Sequence, residues 1–194
     1  MPLYIRENEV EEVLPASDAV DAVEACFARI ARGAVDNRSR FRIKLEGGLQ
    51  HTMAAADLEL GLCGLKTYVG FREGANFVVV LFATDRPEAL ALIEADRLGQ
   101  RRTGAASGVA ARHLAKSDAR SLGVLGCGWQ AESQVECIRA AVPGIQDVRV
   151  YCRDKDRRES FAKSTGGVAV EYNKEAAEAD IIITATTSKD PVLR

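Results

Sequence analysis

The chain has 194 residues, 47% of them hydrophobic and 28% charged, with a formal net charge of -2. That is enough for one sizeable core or two small ones, and it supplies no basic surface for nucleic acid or anionic membrane. No apolar stretch approaches the roughly 18 residues that span a bilayer. The N-terminal Met1-Pro-Leu-Tyr-Ile-Arg-Glu lacks a basic-then-apolar signal pattern, so the expectation is a cytoplasmic protein without membrane or nucleic-acid partners.

In chain order, Ser17 to Arg32 reads as an amphipathic helix, with Ala19, Val20, Val23, Phe27 and Ile30 on one face. An arginine-bearing strand zone follows, Arg38-Ser-Arg-Phe-Arg-Ile-Lys-Leu45, closed by the turn Gly47-Gly48, with residues 50–55 as its returning partner. Residues 61–69 and 77–83 are two further strand candidates, separated by a turn-prone stretch at 72–76, and 89–94 is another short apolar run. The first part thus predicts one helix followed by antiparallel strands. Thr103 to Ala115 is rich in small residues and predicts a helix packed closely against a neighbour. Lys116-Ser117-Asp118 is a polar break.

Beyond the break, strands at 122–126, 147–152, 168–172 and 181–186 alternate with helices at 130–141, 155–164 and 174–178. This alternation predicts a parallel sheet. The expected organisation is therefore α/β: an α+β domain over 1–117 and a Rossmann-type dinucleotide-binding domain over 118–194. The latter is incomplete, because such a fold has two halves and about six strands. The sequence reads as a fragment of a longer protein or a truncated product.

Five cysteines are scattered without a C-x-x-C pair, and two histidines, His51 and His113, lie far apart. Free thiols and no metal site are the expectation.

The chemistry centres on Leu122-Gly-Val-Leu-Gly-Cys-Gly-Trp-Gln-Ala131. A strand runs into Gly126-x-Gly128-x-x-Ala131 and a helix begins at once, which is the dinucleotide fingerprint in its structural context. Gly126 allows the tight turn, Gly128 leaves room for a pyrophosphate, and Ala131 lets helix and sheet approach. The helix N-terminus then faces the phosphates. At the end of the second strand, where an acid would receive the ribose hydroxyls of NAD, the chain has Cys152, followed by Arg153, with Lys155, Arg157 and Arg158 close by. Arginine there suits a 2′-phosphate, so NADP is preferred over NAD. Asp154, two positions on, would restore the NAD reading.

Three further cations are candidates. Arg102-Thr103 precedes the small-residue helix. Thr103 reads either as its cap or, with Arg102 and the helix terminus, as part of an anion clamp. Lys66 is a lone lysine in an apolar strand, directed either to solvent or to a substrate carboxylate. Arg40 poses the same question beside Arg38 and Arg42, which alternation would put on one face.

Taken together, Arg102-Thr-Gly-Ala-Ala-Ser107, Gly126-x-Gly128-x-Gln130-Ala131, Met53-Ala54, Gly64-Leu-Lys66 and Asp180-Ile-Ile-Ile-Thr-Ala-Thr186 resemble the ornithine cyclodeaminase/mu-crystallin family over nearly the whole chain. The resemblance implies a homodimer with an N-terminal substrate and dimerisation domain. It also implies a small amino-acid or cyclic imino-acid substrate. It assigns Arg40, Lys66 and Arg102 to the substrate carboxylate, Lys66 and Arg102 also to catalysis. Thr103, Gly126, Gly128, Trp129, Gln130, Ala131, Cys152, Arg153 and Thr186 fall to the cofactor. The family's catalytic aspartate lies beyond the last residue here, so the chain alone is expected to be weakly active or inactive. The first reading is NAD(P)-dependent conversion of L-ornithine to L-proline and ammonia. The alternatives are an NADPH-dependent ketimine or cyclic imine reductase, an alanine dehydrogenase-like enzyme, and a non-enzymatic nucleotide-binding protein of the crystallin type.

Overall fold

A computed structural model describes residues 1–193. They form two compact units: Met1–Pro15 with Glu24–Gly99, and Ala16–Val23 with the chain from Gln100 onward. The division falls inside a helix, at Gly99/Gln100, and not at the polar break at 116–118.

The first unit is an antiparallel sheet with one parallel edge. Its elements are β1 (Leu3–Ile5), α1 (Glu7–Val13), part of α2 (Ala16–Ala31), β2 (Val35–Asn37), β3 (Phe41–Leu45), β4 (Gly48–Asp57), β5 (Leu62–Phe71), β6 (Gly74–Ala83) and β7 (Ala89–Glu94). The strand order is β1-β7-β6-β5-β4-β2, with β3 also on β4. β1 runs parallel to β7, Leu3 opposite Ala91. β1, α1 and β2 have no counterpart in the sequence reading: they are too short for a periodicity to register. The predicted helix is present as α2, but only Ala19 and Val20 of its apolar face are buried, while Phe27 and Ile30 are exposed. Residues 38–40 lie between β2 and β3 rather than in a strand. The three arginines at 38, 40 and 42 therefore do not share a face by alternation.

Helix α3 (Asp96–Leu114) begins well before Thr103. Its first turn is capped from outside: the Glu7 carboxylate accepts from the backbone N–H groups of Asp96 at 2.6 Å and Arg97 at 2.9 Å. An acid at a helix N-terminus satisfies orphan donors and opposes the helix dipole. Thr103 is thus mid-helix, and both readings that put it at a helix N-terminus fail.

The second unit holds a parallel sheet. Its elements after α3 are β8 (Ser121–Leu125), α4 (Trp129–Ala141), β9 (Asp147–Tyr151), α5 (Lys155–Ser164), β10 (Val168–Ala169), α6 (Asn173–Ala177) and β11 (Ile181–Thr184). The order is β10-β9-β8-β11, every pairing parallel. This is the first half of a doubly wound sheet, with the next strand on the far side of β8, as the alternation predicts. Leu122, Val124, Leu125, Val148 and Val150 are all buried, as parallel strands covered on both faces must be. Gly123 sits among them because α6 crosses β8 there; a Cβ would overlap the Ala176 carbonyl oxygen. The small residues of α3 do press on a neighbour, which is α4. Side chains at Gly104 or Gly108 would strike the backbone of Ser133 or Cys137, and Ser133 Oγ donates to the Gln100 carbonyl at 3.0 Å.

Candidate functional site

The second unit carries a cavity of about 1040 Å³ at the C-terminal ends of β8, β9 and β11. That edge is where open α/β sheets bind ligands. Gly126 stands at φ 113°, and a Cβ would overlap the Ala185 carbonyl oxygen. Only glycine fits that turn without strain. A Cβ at Gly128 would meet nothing within 4 Å, so the chain presents bare backbone to the cavity, as a phosphate cradle requires. Gly128 is the N-cap of α4 with no side-chain cap of its own. Ala131 is fully buried, closing the helix onto the sheet.

Of the residues expected at a cofactor, Gly126, Gly128, Cys152, Arg153 and Thr186 line this one cavity. Trp129, Gln130 and Ala131 form the first turn of α4 beside it and are not in its wall. Thr103, on α3, is not in it either. Asp154, the competing candidate for a ribose acid, lines the same cavity and caps α5 through Oδ1, which accepts from the Arg157 N–H at 3.0 Å. Cys152 is the residue at the end of β9, with exposed Arg153 beside it. The nearby cations have separate tasks. Arg157 lines the cavity and donates to the Cys127 carbonyl at 3.3 Å. Buried Arg158 donates to the Cys152 carbonyl and stacks on Tyr151. Lys155 pairs with Glu159 on its own helix. Asn173, Lys174, Thr187 and Ser188 also line it. The sequence reading missed them, though the rule that ligands gather at strand C-termini pointed to the loops that hold them.

The first unit gathers the other candidates on one face of its sheet. Register puts Arg42, His51, Tyr68 and Phe77 in one row and Met53, Lys66, Val79 and Ile93 in the next. Paired residues point to the same side of a sheet. The rings stack in series, His51 on Tyr68 at 4.5 Å and Tyr68 on Phe77 at 4.4 Å. Lys66 is half-buried, not solvated, with its Nζ 5.6 Å from the Tyr68 ring and 5.5 Å from Phe77. Arg40 reaches the same tyrosine, donating to its hydroxyl at 3.5 Å. Arg38 is instead paired with Asp36 at the surface. Of the two arginines, Arg40 is the one that reaches the ring cluster. Arg102 belongs to the second unit, exposed on α3.

His51 was passed over in the sequence for want of a metal partner. It is part of the ring stack, and its Nδ1 is buried without a hydrogen-bond partner. Burial, then Arg42 and Arg40, hold its pKa below the ordinary histidine value, so it stays neutral beside these cations. Among the described residues no cluster of metal-ligating side chains occurs, and no helix is long and apolar enough to cross a membrane.

The model of the ornithine cyclodeaminase/mu-crystallin family matches residues 3–194. The chain belongs to that family. Within the ornithine cyclodeaminase/mu-crystallin family it is 32% identical over 203 residues to an alanine dehydrogenase of Archaeoglobus fulgidus, a match covering 99% of this chain and 62% of the relative. An archaeal alanine dehydrogenase dimer with bound NAD superposes with a TM-score of 0.91 at 27% identity, over 99% of this chain and 62% of that one. The Thermococcus litoralis Δ1-pyrroline-2-carboxylate reductase, in complex with NADH and L-proline, gives 0.88 at 26%, over 98% and 64%. The chain thus spans less than two thirds of the length of these relatives.

Proposed function

We propose that the protein is an NAD(P)-dependent dehydrogenase or reductase of small amino or imino acids, in preference to the ornithine cyclodeaminase that the resemblance first suggested. The observation that carries this reading is the Lys66 face. Its two rows set cations against aromatic and aliphatic groups, and neither row contains a carboxylate. A diamino acid brings a second ammonium that needs an acceptor, since burying an unpaired charge is costly. A short imino or amino acid needs only a cationic partner for its carboxylate and an apolar wall. The relatives named above, an alanine dehydrogenase and a cyclic imine reductase, support the same choice.

NAD(P) would supply or accept a hydride at the substrate α-carbon. Gly126, Gly128 and the N-terminus of α4 would hold its pyrophosphate, with Thr186 on the opposite wall. Lys66 and Arg40 would fix the substrate carboxylate, which lowers the entropic barrier to transfer. The Tyr68 and Phe77 rings keep water from that charge and strengthen its pairing. The relatives carry NAD and NADH. What favours NADP in this chain is local: Cys152 in the place of the acid, Asp154 engaged as a cap, and Arg153 and Arg157 lining the cavity. A homodimer is supported by the opposite face of the first unit, where Phe41, Ile43, Leu45, Val69 and Phe71 form an exposed apolar stripe. Contiguous patches of that kind mark association surfaces.

Trp129, the one tryptophan of the chain, stands beside the cradle and reports on it. Titration should quench its fluorescence, with NADPH about tenfold tighter than NADH; equal or tighter NADH would overturn the NADP preference. With dinucleotide present, pyrrole-2-carboxylate and L-proline should bind and L-ornithine should not. Preferential binding of L-ornithine with release of ammonia would overturn the reductase reading.

A further inference from the structure

We infer that Cys127 and Cys152 form a modification site, a dithiol in the wall of the dinucleotide cavity that closes to an intramolecular disulfide under oxidation and excludes the dinucleotide. Both cysteines line that cavity. They follow neighbouring parallel strands whose last paired residues are Leu125 and Tyr151, Cys127 two positions beyond and Cys152 one. The peptide units next to them are joined, because the Gly126 N–H donates to the Tyr151 carbonyl at 2.8 Å. Adjacent arginines of α5 then hold both cysteine carbonyls, Arg157 that of Cys127 and Arg158 that of Cys152, each at 3.3 Å. The Cys152 thiol is close enough to count, after burial, among the groups that raise the pKa of Cys127, and its own S–H donates to the Asp154 carbonyl at 3.3 Å. Adjacent strands run about 4.8 Å apart, a separation of the order a disulfide bridges, and the two cysteines stand just past the ends of two such strands.

Burial, first of all, pushes the Cys127 thiol up to about 12. The proposed step begins at Cys152, which lies in the cavity wall beyond the end of β9. With hydrogen peroxide as oxidant, the Cys152 thiolate attacks one oxygen, the O–O bond breaks, and Cys152 becomes a sulfenic acid. The Cys127 sulfur then displaces that hydroxyl and gives up its own proton. Two thiols are oxidised by two electrons, one peroxide is reduced, and two waters leave. Cys152 occupies the place of the ribose acid and Cys127 lies between the two glycines of the cradle. A bridge between them fills the space of the ribose and stiffens the turn under the phosphates. This consequence rests on the proposed cofactor; the disulfide itself does not.

The test uses the whole chain. After peroxide treatment and trapping of remaining thiols, peptide mapping should find a Cys127–Cys152 link with the loss of two hydrogens, and Cys26, Cys63 and Cys137 alkylated. Trp129 titration with NADPH should then show affinity at least about tenfold weaker, restored by dithiothreitol. Cys127→Ser should form no link, and its affinity, whatever its reduced value, should no longer respond to oxidation. Absence of the link under conditions that oxidise other thiols would overturn the site. A link that leaves NADPH binding unchanged would overturn the exclusion. If the reduced protein binds neither dinucleotide while the link forms, the proposed cofactor fails and the dithiol stands.

Discussion

The two units treat apolar residues in opposite ways. In the second, the central strands disappear from solvent: Leu122 and Val124 are 0% exposed. In the first, Phe41 is 56% and Phe71 45% exposed on one face of the sheet, while the other face carries Lys66, Arg40 and Arg42 against three stacked rings. A parallel sheet covered by helices must bury both faces. An antiparallel sheet is free to leave its faces uncovered, here one exposed apolar stripe and one face that sets cations against rings. The second unit's strands thus build a buried core, while the first unit's strands present their faces.

Substitutions should expose that contrast. The largest effect is expected from Gly123→Val, whose side chain has no room beneath α6. It should destabilise the second unit by about 3 kcal/mol or more, read as a lower unfolding midpoint in urea. Leu122→Ala should cost about 3 kcal/mol by opening a cavity. Phe41→Ala should change folding stability by less than about 0.5 kcal/mol but shift sedimentation towards a monomer. Comparable losses in both would erase the distinction between the units. Lys66→Met should weaken pyrrole-2-carboxylate binding by about 2 kcal/mol, the cost of losing a charge-assisted partner, with NADPH affinity nearly unchanged. A parallel loss of both would show that Lys66 serves the fold.

A smaller change is expected from Glu7→Gln. It removes the charged cap of α3 and should lower stability by about 1 kcal/mol, with amide exchange in the first turn of α3 rising most. Asp180 gives a pH signature. The Arg120 N–H first, then the Ser121 hydroxyl and N–H, hold its carboxyl down to about 2. A depressed carboxyl stabilises fully above its unfolded value of about 4 and loses that contribution as pH falls from there towards 2. Asp180→Asn should flatten the acid limb of the stability curve in that window, and an unchanged limb would remove Asp180 from the account.

Much of the second unit was legible because each of its elements states its own period. An apolar strand, a glycine turn and a helix follow within ten residues of one another at 122–131, and the spacing of glycines reflects contacts that nothing larger could make. The first unit was legible in its hairpins but not in its short edges. Thr103 shows why the helix start was missed. The local pattern of small residues begins there, but the helix is started earlier by Glu7, which is distant in sequence and adjacent in space. Likewise Arg38, Arg40 and Arg42 are alike in type. Only the break in the strand and the position of Tyr68 separate a surface ion pair from a cation in the ring cluster.

By itself the sequence determined the alternation that makes a parallel sheet, the glycine cradle at its edge, and the family, because local backbone geometry and packing distance are set by residue size and period. The tertiary structure decided which charges act together. It placed Lys66 and Arg40 on one tyrosine and brought Cys127 and Cys152, from the ends of two strands, into one cavity wall. Those pairings join residues far apart in the chain through strand register and helix approach, and no local pattern encodes a distance of that kind.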